Sequence, residues 1–347
     1  MDSCMKKVLI ISGNFFGYQD SVRRAFVGLN YDVRVELFDG PVHPFKGWNK
    51  WKHKLSWNKE RVRHESRLKY AEYIKSVYDE YLPDIVFTFN GTILLDGTLD
   101  YFRIKSKVVL WMYDSVQRPE YKICHDHIDH VDAFFCFDKK DVDYFASIGK
   151  TAYFLPLACD PLVYHPLPLE KDIDIFFVGA IYNSSKRIRI LEHIVDHYPN
   201  KKILIYGKYK PIEKNPIGWL FRSHRDTFMN ENIPPEVVNQ MYSRAKVALN
   251  IHNEQSIYSA NQRFFEACGA GSYQICDVNQ FTKSFFKQPC IGLYDSEKEL
   301  YELINWALRP ENQEKREEKA RVAMEIILSE NTFMNRTIEI LKTIGEY

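Results

Sequence analysis

Arg263 and Glu266 are two oppositely charged side chains near the start of a predicted helix, within the segment NQRFFEACGAGSYQICD at residues 261–277. The first turn of a helix carries unpaired backbone N–H groups and a partial positive charge, so it attracts anions. An arginine there is unfavourable unless an anion lies nearby, which predicts a phosphate site formed by Arg263 and the helix start at Asn261. Glu266 lies one turn further on and could accept hydrogen bonds from a ribose.

A simpler interpretation of the same residues stays open. Arg263 and Glu266 are three residues apart, so they could pair across one helical turn and contribute a few tenths of a kcal/mol. Ser259 and Gln262 have the spacing of a capping box, in which each side chain bonds to the other residue's backbone N–H. Under this interpretation the segment has a structural role.

The strands that would position these residues are short apolar runs. Amphipathic segments separate most of them, and the longest extends from about Lys59 to Tyr81, where Pro83 stops it. Apolar strands that alternate with helices predict an α/β fold with parallel sheets covered on both faces. The predicted strands lie at 7–12, 33–38, 84–90, 107–114, 133–138, 151–157, 172–179, 201–207, 246–252, 272–277 and 290–295.

A chain of 347 residues is longer than a single core usually supports, so we expect two domains. Four prolines between 156 and 168 indicate a stiff linker. We therefore predict two doubly wound, Rossmann-like domains that face a cleft. The expected boundaries are an acceptor-side domain at 1–155, a linker at 156–171, a nucleotide-binding domain at 172–325, and a helix at 326–347 that packs back on the first domain.

Ligands of open parallel sheets bind at the carboxyl ends of the strands, so the residues just beyond each strand are candidates. In the first half these residues are mostly amides and acids, which suits a hydroxyl-bearing acceptor: Gly13, Asn14, Asn90, Asp114 and Asp138. In the second half they are glycines and bases, which suits a diphosphate: Gly179, Lys186, Arg187, Gly207, His252 and the Asn261–Glu266 helix.

Asp114 is the predicted catalytic base, because a carboxylate at a strand end can be held within reach of the proton of an acceptor hydroxyl. If it does not act as a base, Asp114 would orient the acceptor. The alternative for Asp114, and more strongly for Asp138, is a helix cap. His252 could contact the ligand, including its pyrophosphate, or simply end its strand.

Composition excludes several classes of function. The charges nearly cancel, at +1 overall, so no global field indicates nucleic acid binding. The seven cysteines lack metal or CxxC spacing, which favours reduced, buried thiols in a cytoplasmic protein. No apolar run reaches the length of a membrane span. No metal-ligand motif is present, and the basic phosphate site would make a divalent cation unnecessary.

The segment 46–69 combines three tryptophans and nine lysines and arginines with two glutamates. Basic residues interleaved with tryptophan suit an anionic surface, either a membrane that carries a lipid-linked acceptor or a polyanionic glycan. The alternative is a solvated helical face with the tryptophans packed beneath it. The first interpretation predicts peripheral contact with the inner face of a membrane.

Several motifs occur in the order found in one enzyme family. They are a strand with a following glycine and N-x-x-K/R pattern at 172–187, the linker LPLACDP, the strand AKVALNIH, the segment NQRFFEACGAGSYQICD and a long final helix. In this order they resemble the CgeB-type (spore-maturation) glycosyltransferases, which belong to the two-domain GT-B class. The resemblance is clearest over residues 150–345.

The resemblance implies transfer of a sugar from a nucleoside diphosphate without a metal or other cofactor. In related retaining enzymes, the second glutamate of an E-x7-E motif contacts the ribose, and Glu266 corresponds to it. The first glutamate, which contacts the donor sugar in those enzymes, corresponds to Tyr258 here. This departure bears on both the donor and the stereochemical outcome.

The sequence thus predicts a metal-independent, nucleotide-sugar-dependent glycosyltransferase in polysaccharide biosynthesis. The default donor is a UDP-sugar, and the acceptor is a hydroxyl of a cell-surface glycan, glycolipid or protein. Two alternatives are a nucleotide-sugar 2-epimerase, which shares the architecture, and a non-catalytic nucleotide-sugar-binding protein, which Tyr258 suggests.

Overall fold

A computed structural model of the chain describes residues 5–38, 55–181, 184–208, 227–253 and 256–347. The chain divides into two compact units. The first contains Met1–Pro156 together with Phe333–Tyr347, and the second contains Leu157–Thr332. Each described unit is an α/β domain built on one parallel sheet.

The first unit contains a six-stranded parallel sheet in the order β2-β1-β3-β4-β5-β6. All five residues of β3 are buried, as expected for a strand covered on both faces. The strands are β1 (Lys7–Ser12), β2 (Asp32–Leu37), β3 (Ile85–Phe89), β4 (Lys107–Met112), β5 (Ala133–Cys136) and β6 (Tyr153–Phe154).

The helices between these strands are α1 (Tyr18–Gly28), α2 (Lys59–Tyr81), α3 (Asp96–Arg103), α4 (Lys122–Asp126) and α5 (Lys139–Ser147). The predicted bounds of α2 are confirmed. Its N-cap, Asn58, accepts a hydrogen bond from the Arg61 N–H at 2.9 Å. The helix ends because Leu82 adopts a positive φ of 53° and Pro83 cannot continue a helix.

The second unit contains a five-stranded parallel sheet in the order β11-β10-β9-β7-β8. Its strands are β7 (Ile173–Val178), β8 (Ile203–Tyr206), β9 (Ala245–Asn250), β10 (Gln274–Asp277) and β11 (Gly292–Tyr294). Its helices are α6 (Ser185–His197), α7 (Pro235–Arg244), α8 (Gln262–Gly269), α9 (Gln280–Phe285), α10 (Glu297–Leu308) and α11 (Gln313–Glu330). All eleven predicted strands are therefore present.

The segment that was expected to be a linker packs into the second unit from Leu157 onwards. Ala158 and Cys159 have no exposed surface, and the Gln262 amide donates to the Ala158 carbonyl. A Cβ added to Gly269 would lie 2.3 Å from Cys159 Sγ, so α8 approaches this segment closely. The apolar residues between the prolines thus contribute to the core of the unit.

The last two helices are separated by a short break. Helix α11 stops at Glu330, and α12 (Phe333–Thr343) begins two residues after Asn331. Helix α12 belongs to the first unit and packs on α1. A Cβ added to Gly28 of α1 would lie 2.7 Å from Met334 Cε, which shows how closely the two helices approach. None of the described helices is both long and apolar enough to cross a bilayer.

Candidate functional site

Gly179 and Gly207 bring the turns after β7 and β8 into direct backbone contact. Gly207 has φ of +138°, and a Cβ at this position would lie 1.8 Å from the Gly179 carbonyl oxygen. The Gly179 N–H donates to Tyr206 O at 3.0 Å and links the two turns. Both turns lie at the carboxyl end of the sheet, and the absence of side chains leaves backbone accessible there.

Gly207→Ala is expected to lower the free energy of unfolding by about 2–5 kcal/mol, because the methyl group would overlap a carbonyl oxygen and the backbone angle would be strained. Gly97→Ala is the matched control. A Cβ at Gly97 meets nothing within 4 Å, and Gly97 lies in α3, so this change should be neutral or slightly stabilising. Urea unfolding of both variants measures the difference, and equal effects would contradict the account.

Arg187 was one of two residues predicted to neutralise a diphosphate. In the structure its guanidinium donates hydrogen bonds to backbone carbonyls. Nε and Nη2 donate to Ile251 O at 2.9 and 2.6 Å, and Nη1 donates to Ala180 O at 2.7 Å. The residue is only 5% exposed, and a buried guanidinium needs such partners. Arg187 therefore holds the turn after β7 against the end of β9.

Lys186, His252 and Asp277 form a bonded group at the same edge of the sheet. Lys186 Nζ donates to Asp277 Oδ2 at 2.6 Å. The backbone N–H of His252 donates to Asp277 Oδ1 at 2.8 Å, and His252 Nδ1 lies 2.8 Å from the same oxygen. Two of the predicted donor-site residues are thus joined by an aspartate that was not predicted.

The charge state of Asp277 follows from these partners. Burial opposes ionisation, but the hydrogen bond from His252 and the charge of Lys186 outweigh it and hold the pKa of Asp277 below its usual range. The ionised carboxylate therefore accepts a hydrogen bond from the His252 Nδ1–H group, which leaves Nε2 as the remaining ring nitrogen. Nε2 is buried and has no hydrogen-bond partner in the part of the chain that the structure describes.

Asp277→Asn is expected to lower the free energy of unfolding of the second unit by about 3–5 kcal/mol near neutral pH, since a buried ionic group loses its central partner. Because the folded-state pKa is depressed, this contribution is present above the unfolded-state pKa of about 3.9 and is lost as the pH falls through the folded-state value. Denaturant unfolding of both proteins should show their difference shrinking at acid pH. Asp295→Asn, at an exposed position, should change little; a difference for Asp277→Asn that is independent of pH would refute the assignment.

One group of described residues has the geometry to hold a metal ion: His252, Cys276 and Asp277, whose ligand atoms lie within 4.8 Å of one another. The Lys186 ammonium already bonds to one Asp277 oxygen. Burial and the Asp277 charge also raise the pKa of the Cys276 thiol well above its usual value, so it stays protonated. These features do not suit a divalent cation.

Helix α8 begins at Gln262 and is capped by Asn261. The Asn261 side chain accepts a hydrogen bond from the Phe264 N–H at 3.1 Å, and its Nδ2 donates to Asn250 Oδ1 at 2.8 Å. The capping box of Ser259 and Gln262 is therefore wrong. The helix starts two residues later than that pattern requires, and the Gln262 amide bonds to Ala158 O.

Arg263 and Glu266 form an ion pair between Nη1 and Oε2 across one turn of α8. The Arg263 side chain is 14% exposed and the Glu266 side chain 1% exposed, so the pair is largely shielded from solvent. The structure thus shows the pairing that was the simpler interpretation of these residues. The contacts of Arg263 with a diphosphate and of Glu266 with a ribose stay predictions.

In the first unit, the predicted residues after β1 and β3 lie in the loops that follow those strands. Asn90 is buried with φ of 53°, and its Oδ1 accepts a hydrogen bond from the Tyr113 N–H at 3.0 Å. Asn14 Oδ1 accepts from Gln19 Nε2 at 3.3 Å, just beyond Gly13. The ring of Phe15, which is next to Asn14, stacks on Tyr113 at 4.8 Å. The ends of β1, β3 and β4 are thereby brought together.

Asp114 lies just beyond β4 and is held by two side chains. Oδ1 accepts from Arg118 Nη1 at 3.0 Å, and Oδ2 accepts from the Tyr121 hydroxyl at 2.5 Å. Burial and the Asp114 charge raise the pKa of Tyr121, so its hydroxyl remains a donor. These bonds orient the Asp114 carboxylate. Arg118 and Tyr121 were not predicted, because no strand end or repeat marks them.

Asp138 has the structural role that was its alternative. It is 1% exposed, and its carboxylate accepts a hydrogen bond from the Lys140 N–H at 2.9 Å as the N-cap of α5. The contact of Asp138 with an acceptor stays a prediction.

Residues 186–342 match a protein family described as glycosyl transferase-like. No curated protein matches the chain. The matched segment contains Lys186, His252, Asp277 and helix α8, so it includes most of the group described above.

Solved structures match almost the whole chain. A sucrose-phosphate synthase from Thermosynechococcus elongatus is 12% identical, with a TM-score of 0.68 and coverage of 98% of both chains. A UDP-forming α,α-trehalose-phosphate synthase from Burkholderia xenovorans is 11% identical, with a TM-score of 0.65 and coverage of 98% of this chain and 99% of that chain. A UDP-GlcNAc 2-epimerase from Neisseria meningitidis bound to UDP-GlcNAc is 12% identical, with a TM-score of 0.56 and coverage of 99% and 100%. At these identities the likeness concerns the fold. Residues 186–342 are therefore similar to a glycosyl transferase-like family, and the chain as a whole has the two-domain α/β fold of the GT-B class.

Proposed function

We propose that this protein transfers a sugar from a nucleoside-diphosphate sugar to a hydroxyl of a glycan, glycolipid or protein acceptor, as a CgeB-like enzyme of polysaccharide biosynthesis. The observation that carries the proposal is the glycosyl transferase-like match over residues 186–342, which coincides with the bonded group at the carboxyl end of the second sheet. A UDP-sugar is the default donor.

The second unit would bind the donor. Gly179 and Gly207 supply turns without side chains, which allow a diphosphate to approach the backbone. Arg263, at the start of α8, would neutralise the leaving diphosphate, with Lys186 as a second cation and Glu266 on the ribose. Protein cations in these positions would replace a metal ion, so we propose that no metal or other cofactor is needed.

His252 would lie beside the sugar or the pyrophosphate. Its Nδ1 is fixed by Asp277, which leaves Nε2 as the nitrogen that a ligand hydroxyl or phosphate could satisfy. Buried polar groups without partners are rare in proteins. The unpaired Nε2 of His252 therefore supports a ligand contact at this position.

The first unit would bind the acceptor. Asp114 would remove the proton of the acceptor hydroxyl if the reaction inverts the anomeric centre, and would orient the acceptor if it retains it. The hydrogen bonds from Arg118 and Tyr121 would hold the carboxylate in a fixed orientation for this role. Gly13, Asn14 and Asn90 would contribute backbone and amide groups nearby.

A thermal-shift screen tests the donor assignment. The purified protein is heated with UDP, GDP, CDP, dTDP and ADP and with their common sugars, because a ligand of the folded state raises the melting temperature. A selective shift with one nucleotide supports the proposal and identifies the donor class. No shift with any nucleotide would contradict it and favour loss of the donor site, consistent with Tyr258 in place of a glutamate.

A 2-epimerase is the second candidate. The fold match to a UDP-GlcNAc 2-epimerase and the buried His252–Asp277 pair favour it, since proton transfer at carbon requires such groups. An epimerase converts the donor without an acceptor, which separates it from a transferase in a single assay.

We also propose that the segment 46–69 contacts an anionic membrane surface on the cytoplasmic side. Residues 46–54 lie outside the described residues, but Leu55 and Trp57 are fully or largely exposed, so Trp57 is not packed beneath α2. The six described cysteines are buried and free, as expected in a reducing compartment. Sedimentation with vesicles that contain or lack anionic lipid tests the contact, and equal recovery of wild type and Trp57→Ala in both would refute it.

A further inference from the structure

A small cavity of about 150 Å³ lies at the opposite edge of the second sheet, away from the proposed donor site. Its walls come from residues at the starts of the strands and from helix α11. The polar residues among them are Lys171, Lys246, Tyr273, Arg316, Glu317 and Arg321.

Positive charge dominates this cavity, with four cationic side chains and one carboxylate on its walls. Two of the cations are neutralised by partners. Lys246 bonds to Asp174 at 2.8 Å, and Arg321 pairs with Glu318 and Glu325. The excess positive charge therefore comes from Lys171 and Arg316, which share a single carboxylate on the cavity wall, Glu317.

Lys171 has no carboxylate partner in the part of the chain that the structure describes. Its ammonium donates to the carbonyls of Ser243 and Ala245, at 3.2 and 3.0 Å, and an ammonium has three donors. Burial and the nearby charge of Arg316 lower the pKa of Lys171. Lys171 is partly buried and shares its nearby carboxylate, Glu317, with Arg316, so a bound anion would stabilise this pair of cations.

Arg316 is 4% exposed and only partly satisfied. Nη1 donates to Ala307 O at 2.6 Å, whereas Nη2 lies 3.6 Å from Glu317, beyond ordinary hydrogen-bond distance. Glu317 is about half exposed, so solvent weakens its ion pair with Arg316. An oxyanion in the cavity could therefore accept from Arg316 Nη2 and Lys171 Nζ together.

We propose that this cavity binds a small anion with a phosphate group, held by Lys171 and Arg316, at a site separate from the donor site. The three acceptor oxygens of a phosphate group can take hydrogen bonds from a guanidinium and an ammonium at the same time. A cavity of this volume holds a group of roughly benzene size, which suits phosphate or a small phosphate monoester.

Isothermal titration of the full chain with inorganic phosphate, in chloride buffer of equal ionic strength, tests the site. Wild type should bind saturably, and Lys171→Met should bind about tenfold more weakly or worse, because a charge-assisted contact is lost. Glu317→Gln removes the competing carboxylate at a half-exposed position and should bind about two- to fivefold more tightly. Lys298→Gln, on the exposed face of α10, is the control and should match wild type.

The double variant Arg263→Ala/Glu266→Gln separates this site from the proposed donor site and should keep wild-type phosphate affinity. Methyl phosphate that binds as tightly as phosphate would identify a monoester as the ligand class, and weaker binding would identify the free ion. The proposal is overturned if wild type shows no saturable phosphate binding, if both Lys171→Met and Glu317→Gln bind like wild type, or if the double variant alone loses binding.

Discussion

Arg263→Ala is expected to lower the turnover number by about 100- to 1,000-fold, because a fixed cation that stabilises developing charge on the leaving diphosphate would be lost. The same change would leave Glu266 buried and unpaired, at 1% exposure, so it should also destabilise the second unit by about 3–5 kcal/mol. Steady-state kinetics with the donor from the nucleotide screen and urea unfolding measure the two effects.

The double variant Arg263→Ala/Glu266→Gln separates them. Neutralising Glu266 removes the unpaired buried charge, so stability should recover while turnover stays low. Glu266→Gln alone reports the contribution of the ribose contact. If activity recovers together with stability in the double variant, Arg263 serves only the ion pair and has no role on the diphosphate.

Asp114→Asn is expected to slow transfer by about 100- to 10,000-fold while the thermal shift with the donor nucleotide stays unchanged, because an amide cannot accept the proton of the acceptor hydroxyl. The side chain keeps nearly the same shape, and one oxygen can still accept from Arg118 or Tyr121. Steady-state transfer rates and nucleotide binding on the same preparation give both readouts.

Tyr121→Phe is the matched control for Asp114. It removes one hydrogen bond to the carboxylate but leaves the charge, so transfer should fall by no more than about tenfold. If Tyr121→Phe slows transfer as much as Asp114→Asn, the carboxylate acts by holding the loop rather than on the substrate.

The fold could be predicted closely because its strands are continuous apolar runs. Each of the eleven predicted strands is present, and α2 ends where Pro83 indicates. The prolines between 156 and 168 were less informative, because Ala158 and Cys159 pack against α8. Such packing depends on a helix about a hundred residues away, which local composition does not reveal.

The candidate site could be predicted in part. The strand-end rule found Gly179, Gly207 and His252, because carboxyl ends of parallel strands converge. The same rule applied to SYQICD would have found Asp277, which ends β10. The role of Arg187 was not predictable, since its burial against Ile251 O depends on tertiary structure rather than on the basic pair at 186–187.

Conversion of a sugar-labelled nucleotide sugar, followed by mass spectrometry with and without an oligosaccharide acceptor mixture, tests the central claim most directly. A glycosyltransferase should release nucleoside diphosphate and move the label to an acceptor only when acceptors are present. Label that stays on the nucleotide as an epimer, with or without acceptors, would contradict transfer and establish the epimerase.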